Sequence, residues 1–468
     1  MNPKPKLVPL LDAFGWFFSA AWVCAVLAFP LVKGQAAGYA PVAAGLALGV
    51  VTHRFRARLT RVIDGPSPGA FLTLLLGLAA ALRVAAVFYF PLEPMVDDAQ
   101  FHRYAMTMVQ GGGYGAPGVR AWFPPGMSFV LTAWYFVTTP TPLAGKLLQV
   151  ILGCVLVWQT WAATRQFLSE SVARVAAVLV AVFPTLVFYT ATLGYEILLA
   201  LILLVSCRLA VSVVDDRGWP IASLAGIGAL LGIGSLVKPI CLLIPLMFAA
   251  AWWMLGTRIP RVVGRAALVM VVMILVISPW TLRNYQVLHA FVPISTNGGT
   301  TLYAANNPRA TGLAMQVEPV PGETDEVTRD RLRMRSALAW IIANPSRSFQ
   351  LALTKMTYTW GTSSSIMSVV STDRLPATAE AVCKAVLNVG WTALLVWCVA
   401  GVVTTRAWSV PAIVPSTIVL AYIFGIHLFY EALSRHHVPV VPLLCIVAAM
   451  GLAAAPRGRA ASPKSLGS

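Results

Sequence analysis

Residues 264–279, GRAALVMVVMILVISP, decide the class of fold, because a single arginine is the only charged side chain among them. An α-helix needs about 20 mostly apolar residues to cross the hydrocarbon core of a bilayer, and comparable runs recur along this chain. Backbone groups in lipid must be hydrogen-bonded within their own segment, and a helix achieves this. The sequence therefore predicts a polytopic, all-α membrane protein.

The composition of the whole chain agrees with this prediction. Of its 468 residues, 58% are hydrophobic and only 11% are charged, and the mean hydropathy is +0.77. A soluble domain carries about 25% charged residues. The net charge of +17 is typical of nucleic-acid-binding proteins. Here, however, the basic residues fall in short loops between apolar runs, the pattern that orients membrane proteins. We therefore expect membrane lipids, and no nucleic acid, as partners.

About twelve spans meet the length criterion. They lie near 10–32, 37–52, 69–91, 143–163, 172–191, 196–213, 221–236, 239–255, 264–279, 386–404, 411–430 and 438–455. The apolar run 122–138 begins with Pro124-Pro125-Gly126, and we interpret it as a surface helix. If it does not cross and both termini are cytoplasmic, every second loop is rich in arginine, which is the distribution found in bacterial-type inner membranes.

This orientation divides the chain into four parts. Residues 1–65 form an N-terminal transmembrane hairpin with a basic cytoplasmic loop, and 66–279 form a transmembrane core with an exoplasmic loop at 92–142. Residues 280–385 form an exoplasmic segment, and 386–468 contain the last transmembrane helices and a cytoplasmic tail. Within the exoplasmic segment, the pattern of 327–342 predicts an amphipathic helix.

Two acidic motifs are predicted at the exoplasmic ends of spans. Asp97-Asp98 precedes a helical pattern, and Glu196 follows Gly194-Tyr195 between two apolar runs. A carboxylate at a helix start is commonly a cap, and one at a span mouth is commonly solvated. Ionisable residues at membrane depth also tend to mark function, and a carboxylate beside the bilayer can serve as a general base. The residues alone leave both interpretations open.

A set of cationic residues is expected at the same end of the spans. It comprises Lys238 before Pro239, Arg283 after Trp280, and Arg435-His436-His437 before a proline. Lysines and arginines at span ends commonly extend toward water. The alternative is a clamp for phosphate, which suits arginine's planar fork and lysine's point charge.

A metal site has weak support in the sequence. Adjacent histidines such as His436 and His437 do not share a helix face, and neither HExxH nor a His/Cys ligand spacing is present. The seven cysteines include no CxxC pair. Asp98 and Glu196 could supply oxygen ligands, so no cofactor is certain and a divalent metal is left open.

These motifs, taken in order, resemble the GT-C superfamily of membrane glycosyltransferases. The resemblance is to glycosyltransferase family 39, which includes protein O-mannosyltransferases and lipid A aminoarabinose transferases, and it covers about residues 69 to 455. The segments that carry it are Asp97 to Phe101, Pro124 to Gly126, Glu196, Pro279 to Asn284, Val292 to Gly299, Asn306 to Gly312 and Arg435 to Pro439. Two positions depart from the expected pattern. His437 stands where the last-span motif usually has a second arginine, and Phe123 stands before Pro124 where aminoarabinose transferases have a lysine.

The resemblance implies a GT-C-like bundle with exoplasmic surface helices and an inverting sugar transfer from a polyprenyl-phosphate donor. The acceptor would be a hydroxyl of a glycan, lipid or protein on the periplasmic or extracellular side. Asp97 would be the general base, with Asp98 and Glu196 as further catalytic acids. The residues expected to bind the donor phosphate are Lys238, Arg283, Arg435 and His437. The residues expected to contact substrate are His102, Tyr195, Asn306 and Asn307.

A different class of protein is also compatible with these spans. A transporter or flippase of a lipid-linked glycan would share the helices and the cationic residues. Such a protein predicts acids or broken helices near the middle of the bilayer, whereas these acids are predicted at one mouth.

Overall fold

The computed structural model of the protein describes residues 7–34, 38–90, 93–214, 219–313, 315–364 and 375–453. Throughout these residues the regular elements are helices, and β-pairing is limited to isolated bridges. The predicted all-α class is therefore confirmed. Most of the predicted cytoplasmic tail, from residue 454 onward, lies outside the described residues.

The described residues contain nineteen α-helices, α1 to α19. The first ten are α1 (Val8–Val32), α2 (Tyr39–Arg54), α3 (Arg56–Asp64), α4 (Pro68–Tyr89), α5 (Asp97–Val109), α6 (Gly126–Val137), α7 (Pro142–Phe167), α8 (Glu170–Val182), α9 (Pro184–Tyr189) and α10 (Glu196–Ser212). The others are α11 (Ile221–Val237), α12 (Ile244–Met254), α13 (Ile259–Leu288), α14 (Gly298–Ala305), α15 (Glu326–Ala343), α16 (Pro345–Trp360), α17 (Ala377–Thr405), α18 (Val414–Ile426) and α19 (Val441–Leu452).

Within the described ranges, six helices are long and apolar enough to cross a membrane. They are Val8–Val32, Pro68–Tyr89, Pro142–Phe167, Ile259–Leu288, Ala377–Thr405 and Ser434–Leu452, the last including a 3₁₀ turn before α19. Shorter apolar helices accompany them, so the count of about twelve spans stays a prediction. At 12 residues, α6 is about 18 Å long, less than the roughly 30 Å of hydrocarbon, and this favours a surface position. The predicted amphipathic helix at 327–342 forms as α15.

The predicted span 172–191 is divided into two helices by a proline. Helix α9 begins at Pro184, which has no backbone N–H to continue the hydrogen bonds of α8. Arg83 of α4, fully buried, donates from Nη1 to the carbonyl of Ala181 near the end of α8 at 2.9 Å. Gly153 makes room for this arginine, because a Cβ there would lie 2.4 Å from Arg83 Nε. A buried guanidinium thus satisfies a backbone carbonyl at the helix break.

The predicted span that ends at Pro279 continues as helix α13 to residue 288. Proline cannot donate to the carbonyl of Leu275, and the hydroxyl of Ser278 donates to that carbonyl instead, at 2.9 Å. The extension is held by Trp280, whose indole N–H donates to the carbonyl of Ile294 at 2.7 Å. Long-range contacts therefore override the proline as a stop signal.

The N-terminal hairpin packs directly on the C-terminal helices. A Cβ at Gly45 or at Gly49 of α2 would lie 2.6 Å from a side-chain atom of α17, so this pair of glycines allows close approach. On α1, the ring of Trp22 lies 4.5 Å from that of Trp391, centroid to centroid. The hairpin is therefore part of the same packed bundle as the helices that hold the site.

Candidate active site

The acidic pair Asp97-Asp98 stands at the start of surface helix α5. The residue before it, Val96, has a φ of 50°, and no side chain caps the helix. Asp98 Oδ2 instead accepts a hydrogen bond from the backbone N–H of Leu193 at 3.0 Å. The carboxylates are therefore directed toward other elements, and capping by hydrogen bond does not account for them.

Glu196 stands at the start of α10 and is 1% exposed. Its carboxylate lies against Gly194, where a Cβ would be 2.1 Å from Glu196 Oε2. Gln149 holds the backbone there, because its Nε2 donates to the carbonyl of Gly194 at 2.6 Å. A residue with a side chain at 194 would displace the carboxylate, so glycine is required by the close approach.

Arg435 joins the two acidic motifs from the 3₁₀ helix Ser434–Val440. Its Nη1 donates to Asp97 Oδ2 at 3.0 Å, and its Nε donates to Glu196 Oε1 at 2.7 Å. Nη2 lies 2.6 Å from the same Glu196 oxygen. Hydrogen bonds between charged groups are short and strong, and a planar guanidinium fixes the direction of both acids. We refer to Asp97, Glu196 and Arg435 as the carboxylate–arginine cluster.

Lys238 and Tyr195 lie beside this cluster. The following Pro239 holds Lys238 in an extended conformation, with φ −149° and ψ 121°. The ammonium group of Lys238 donates to the hydroxyl of Tyr195 and lies 4.8 Å from the centroid of its ring. Arg435 Cζ is 5.1 Å from the same centroid. One aromatic ring therefore contacts both cations of the site.

Asp98 has an unusual ionisation for a carboxyl group. Burial raises its pKa to about 7, and the charges of Glu196 and Asp97 add to the rise. Arg435 and the N–H of Leu193 act in the opposite direction. Near neutral pH, Asp98 is therefore partly protonated, whereas an unperturbed aspartate would be fully ionised.

Arg283 binds the loop that precedes α6. Its Nη2 donates to the carbonyl of Tyr114 at 2.7 Å, and its Nη1 donates to the carbonyl of Arg120 at 2.9 Å. Glu326 holds the same loop by accepting from the backbone N–H of Arg120 at 2.9 Å. These contacts give Arg283 a role in loop packing, and its role in phosphate binding stays a prediction.

His437 lies in the protein core. Its ring is 3.7 Å from that of Trp391, with 13° between the planes. Nδ1 is 2.7 Å from the carbonyl oxygen of Thr359, and Nε2 is 3.3 Å from Ser363 Oγ. Both nitrogens are therefore engaged by the protein, and the predicted contact with phosphate stays a prediction.

Of the residues expected to contact substrate, Tyr195 lies in the site. The others form bonds within the protein. His102 Nδ1 is 2.8 Å from the hydroxyl oxygen of Tyr135. Asn306 and Asn307 donate to backbone carbonyls of α14 at 2.9 and 2.8 Å, and so close the end of that helix.

Lys355 is a buried cation that the sequence motifs did not single out. It is fully buried, and its ammonium group donates to Asn306 Oδ1 at 2.8 Å and to the carbonyl of Phe429 at 2.9 Å. Burial lowers its pKa to about 8. The 280–385 segment is thereby fastened to the loop that leads to Arg435. The available signal was that Lys355 is the single lysine of α16, between Thr354 and Met356.

Glu431 is a second residue that the motifs missed. It is half-buried in the loop after α18. Burial raises its pKa, the charge of Lys238 opposes this, and the charge of Asp97 adds to it. Glu431 is therefore within electrostatic range of both parts of the site. Its position just after a predicted span, four residues before Arg435, was the only hint in the sequence.

The geometry gives no support to a metal. Among the residues that the structure describes, no three His, Cys, Asp or Glu side chains form a group that could hold an ion. The two suggested oxygen ligands already have partners, because Asp98 accepts from Leu193 and Glu196 accepts from Arg435.

A family model described as dolichyl-phosphate-mannose-protein mannosyltransferase matches residues 123–282. This range contains Glu196 and Lys238 and stops just before Arg283. No curated protein matches the sequence.

Solved structures are similar to this chain at low sequence identity. The archaeal oligosaccharyltransferase AglB from Archaeoglobus fulgidus, in complex with an inhibitory peptide and a dolichol-phosphate, is 13% identical with a TM-score of 0.51. The match covers 81% of this chain and 50% of AglB, so this chain spans about half the length of that protein. ArnT from Cupriavidus metallidurans, bound to undecaprenyl phosphate, is 13% identical with a TM-score of 0.41, over 82% of this chain and 78% of its own.

The family match and the fold are two separate observations. The first concerns the central sequence, and the second concerns the arrangement of helices over most of the chain. The family match includes three of the segments that carry the resemblance, namely Pro124 to Gly126, Glu196 and most of Pro279 to Asn284. The resemblance of this chain to the GT-C membrane glycosyltransferases is therefore confirmed.

Proposed function

We propose that the protein is a membrane glycosyltransferase that moves a sugar from a polyprenyl-phosphate carrier to an acceptor hydroxyl, with inversion. The observation that carries this proposal is the meeting of Asp97 and Glu196 on Arg435, beside Lys238. Acids and cations from four distant parts of the chain share one site at helix ends. Such a site suits a reaction in which a hydroxyl loses a proton and a phosphate gains charge.

Asp97 is the proposed general base. Its Oδ2 is held by Arg435, while its side chain stays 29% exposed, so Oδ1 can face an acceptor. As the acceptor oxygen attacks the anomeric carbon, its proton passes to Asp97. The bond from that carbon to the phosphate oxygen breaks, and its electron pair stays with the phosphate. Glu196 and Arg435 act by fixing the direction of Asp97.

Lys238 is the proposed cation for the departing phosphate. A fixed positive charge stabilises the charge that develops in the transition state without first having to reorganise. Its ammonium group makes one hydrogen bond among the described residues, to Tyr195, although it carries three donors. Donors therefore remain for a phosphate.

The proposed location is a bacterial-type inner membrane, with the site on the periplasmic or extracellular face. The support for this is the arginine-rich character of alternate loops, since short cationic loops stay cytoplasmic. The acceptor is proposed to be a hydroxyl of a glycan, a lipid or a protein.

A transfer assay tests the proposal. The purified protein is incubated with a radiolabelled polyprenyl-monophosphate sugar and an envelope extract as the source of acceptors. We expect free polyprenyl phosphate to appear as label leaves the lipid. In sealed vesicles, label that crosses the bilayer while still attached to its carrier would instead identify a flippase and contradict the proposal.

A further inference from the structure

The adjacent residues His436 and His437 have different surroundings. The nitrogens of His437 bind Thr359 and Ser363, and its ring stacks on Trp391. The Nδ1 atom of His436 is buried and has no hydrogen-bond partner. One histidine of the pair is therefore satisfied by the core, and the other has an unused polar atom.

The surroundings of the His436 ring include two cations and a second histidine. Lys238 and Arg435 are both within electrostatic range of it. The ring centroid of His427 lies 4.5 Å from that of His436, with 30° between the planes. The Nδ1 atom of His427 lies 2.7 Å from the carbonyl oxygen of Ile423, so it carries the hydrogen of that bond. The tilted His427 ring thus packs against the ring of His436.

The charge around the two cations favours the Lys238 side for an anion. Arg435 faces the carboxylates of Asp97 and Glu196, so one positive charge stands against two negative ones. A phosphate brought to that cluster would meet net negative charge. Lys238 makes no ion pair within 4 Å in the described part of the chain, although Glu431 lies within electrostatic range. Lys238 is therefore the cation whose charge remains available.

We propose that Lys238 and His436 bind the phosphate group of the lipid-linked donor, with His436 donating a hydrogen bond to a phosphate oxygen. Arg435 is then a positioning residue for the two acids, and His437 is part of the core. This inference rests on the proposed function, because it assumes a polyprenyl-phosphate ligand. It differs from the motif-based expectation, which assigns the phosphate to Arg435 and His437.

Binding of undecaprenyl phosphate to the full-length protein in detergent, measured by native mass spectrometry, tests this assignment. Undecaprenol, which lacks the phosphate, is the matched ligand. We expect His436→Phe, which keeps an aromatic ring but loses the donor, to bind the phosphate lipid about ten- to hundredfold more weakly, since hydrogen bonds to charged groups are strong. Lys238→Met should weaken it at least as much. His53→Phe, on the predicted cytoplasmic side, is the control and should bind like the unmodified protein.

The outcomes separate the inference from the proposed function. If His436→Phe binds like the unmodified protein while Lys238→Met loses binding, the role of His436 is wrong and the proposed function stands. If the unmodified protein binds undecaprenol as tightly as undecaprenyl phosphate, the proposed function itself fails. If His437→Phe folds normally and weakens the binding of undecaprenyl phosphate more than His436→Phe does, the motif-based assignment is restored.

A second measurement uses the unmodified protein and does not depend on the folding of a variant. Diethyl pyrocarbonate modifies imidazole rings that it can reach, and peptide mass spectrometry locates the product. His436 as a whole is half-buried, although its Nδ1 atom is covered. We expect undecaprenyl phosphate, but not undecaprenol, to protect His436 at least severalfold, with no change at His53. Modification of His436 that is unaffected by a bound phosphate lipid would overturn the inference.

Discussion

The two cations of the site differ in how the protein uses them. Arg435 makes three short contacts with the carboxylates of Asp97 and Glu196 and is 11% exposed. In the part of the chain that the structure describes, Lys238 makes one hydrogen bond, to the hydroxyl of Tyr195. Tyr195 contacts both, at 5.1 and 4.8 Å from its ring. The chemistry of a cation in this site therefore depends on its partners more than on its motif.

The difference indicates two separate roles: Arg435 positions the acids, and Lys238 is free to bind a ligand. A buried guanidinium between two acids fixes their direction and has little charge left for an anion. An ammonium group with spare donors can take a ligand with little change in the protein. The following predictions test whether the carboxylate–arginine cluster and the Lys238 side behave in these two ways, beginning with the largest expected effect.

Asp97→Asn removes the proposed base and keeps the shape of the side chain. We expect the transfer rate to fall by about 10²–10⁴-fold, the usual cost of losing a general base. The lipid-transfer assay measures this, and expression and thermal stability should stay close to those of the unmodified protein. Asp12→Asn, at the predicted cytoplasmic end of α1, is the control. Full transfer activity in Asp97→Asn would remove Asp97 from the mechanism.

Arg435→Met should destabilise the fold, because it leaves the buried Glu196 carboxylate without a partner. Breaking a buried ion pair in this way costs about 3–5 kcal/mol of the free energy of unfolding. The midpoint of denaturation in detergent measures the loss. Adding Glu196→Gln to this variant should recover part of the stability, since the unpaired charge is then gone. If the double variant is no more stable than Arg435→Met, the ion pair between Arg435 and Glu196 does not stabilise the carboxylate–arginine cluster.

Gly194→Ala tests the close approach behind Glu196. The added Cβ would lie 2.1 Å from Glu196 Oε2, so the carboxylate must move and take Arg435 with it. A displacement of about 1 Å in a catalytic group can cost about a hundredfold in rate. Gly425→Ala is the matched control, because a Cβ there meets nothing within 4 Å. Equal transfer rates in the two variants would contradict the proposed constraint.

The pH dependence of stability should report on Asp98. Its pKa of about 7 in the folded protein is above the unfolded value of about 3.9, so the folded state holds the proton more tightly. The stabilisation is complete below about pH 4 and is lost as the pH rises through about 7. The melting temperature of the unmodified protein should therefore fall by a few degrees more than that of Asp98→Asn between pH 5 and pH 8. If the melting temperatures of the two proteins change with pH in parallel, the raised pKa of Asp98 is contradicted.

Lys238→Met should change stability least. It loses one hydrogen bond, to Tyr195, and no ion pair among the described residues. We expect a loss of about 1 kcal/mol or less in the free energy of unfolding, measured beside Arg435→Met under the same conditions. A loss as large as that of Arg435→Met would erase the distinction between the two cations.

Much of the fold could be predicted because each element depends on its own residues. Apolar length marks the helices, and the amphipathic pattern at 327–342 marks α15. The division of span 172–191 at Pro184 was not predicted. The break is stabilised by Arg83, which is distant in sequence and donates to a carbonyl of α8. The helix through Pro279 likewise depends on the hydroxyl of Ser278 and on contacts with a returning segment.

The site was predictable as a set of residues, but not as a set of contacts. Asp97, Glu196, Lys238 and Arg435 were named from position and type, and they lie together. The pairing of Arg435 with both acids depends on the approach of three distant segments. The different surroundings of His436 and His437 depend on the register of a 3₁₀ turn, which the hydrophobic pattern does not specify. Lys355 and Glu431 carry no motif at all.

The bond from Lys355 to Phe429 has a consequence for the design of chimaeric proteins. The 280–385 segment supplies the lysine, and the loop that leads to Arg435 supplies the carbonyl. Asn306 of the same segment donates to this carbonyl as well, at 2.6 Å. A transplanted segment would therefore leave the carbonyl without its donors unless it brought an equivalent lysine and asparagine. The 280–385 segment and the loop that leads to Arg435 are thus joined at this point, so an exchanged segment should extend past residue 429.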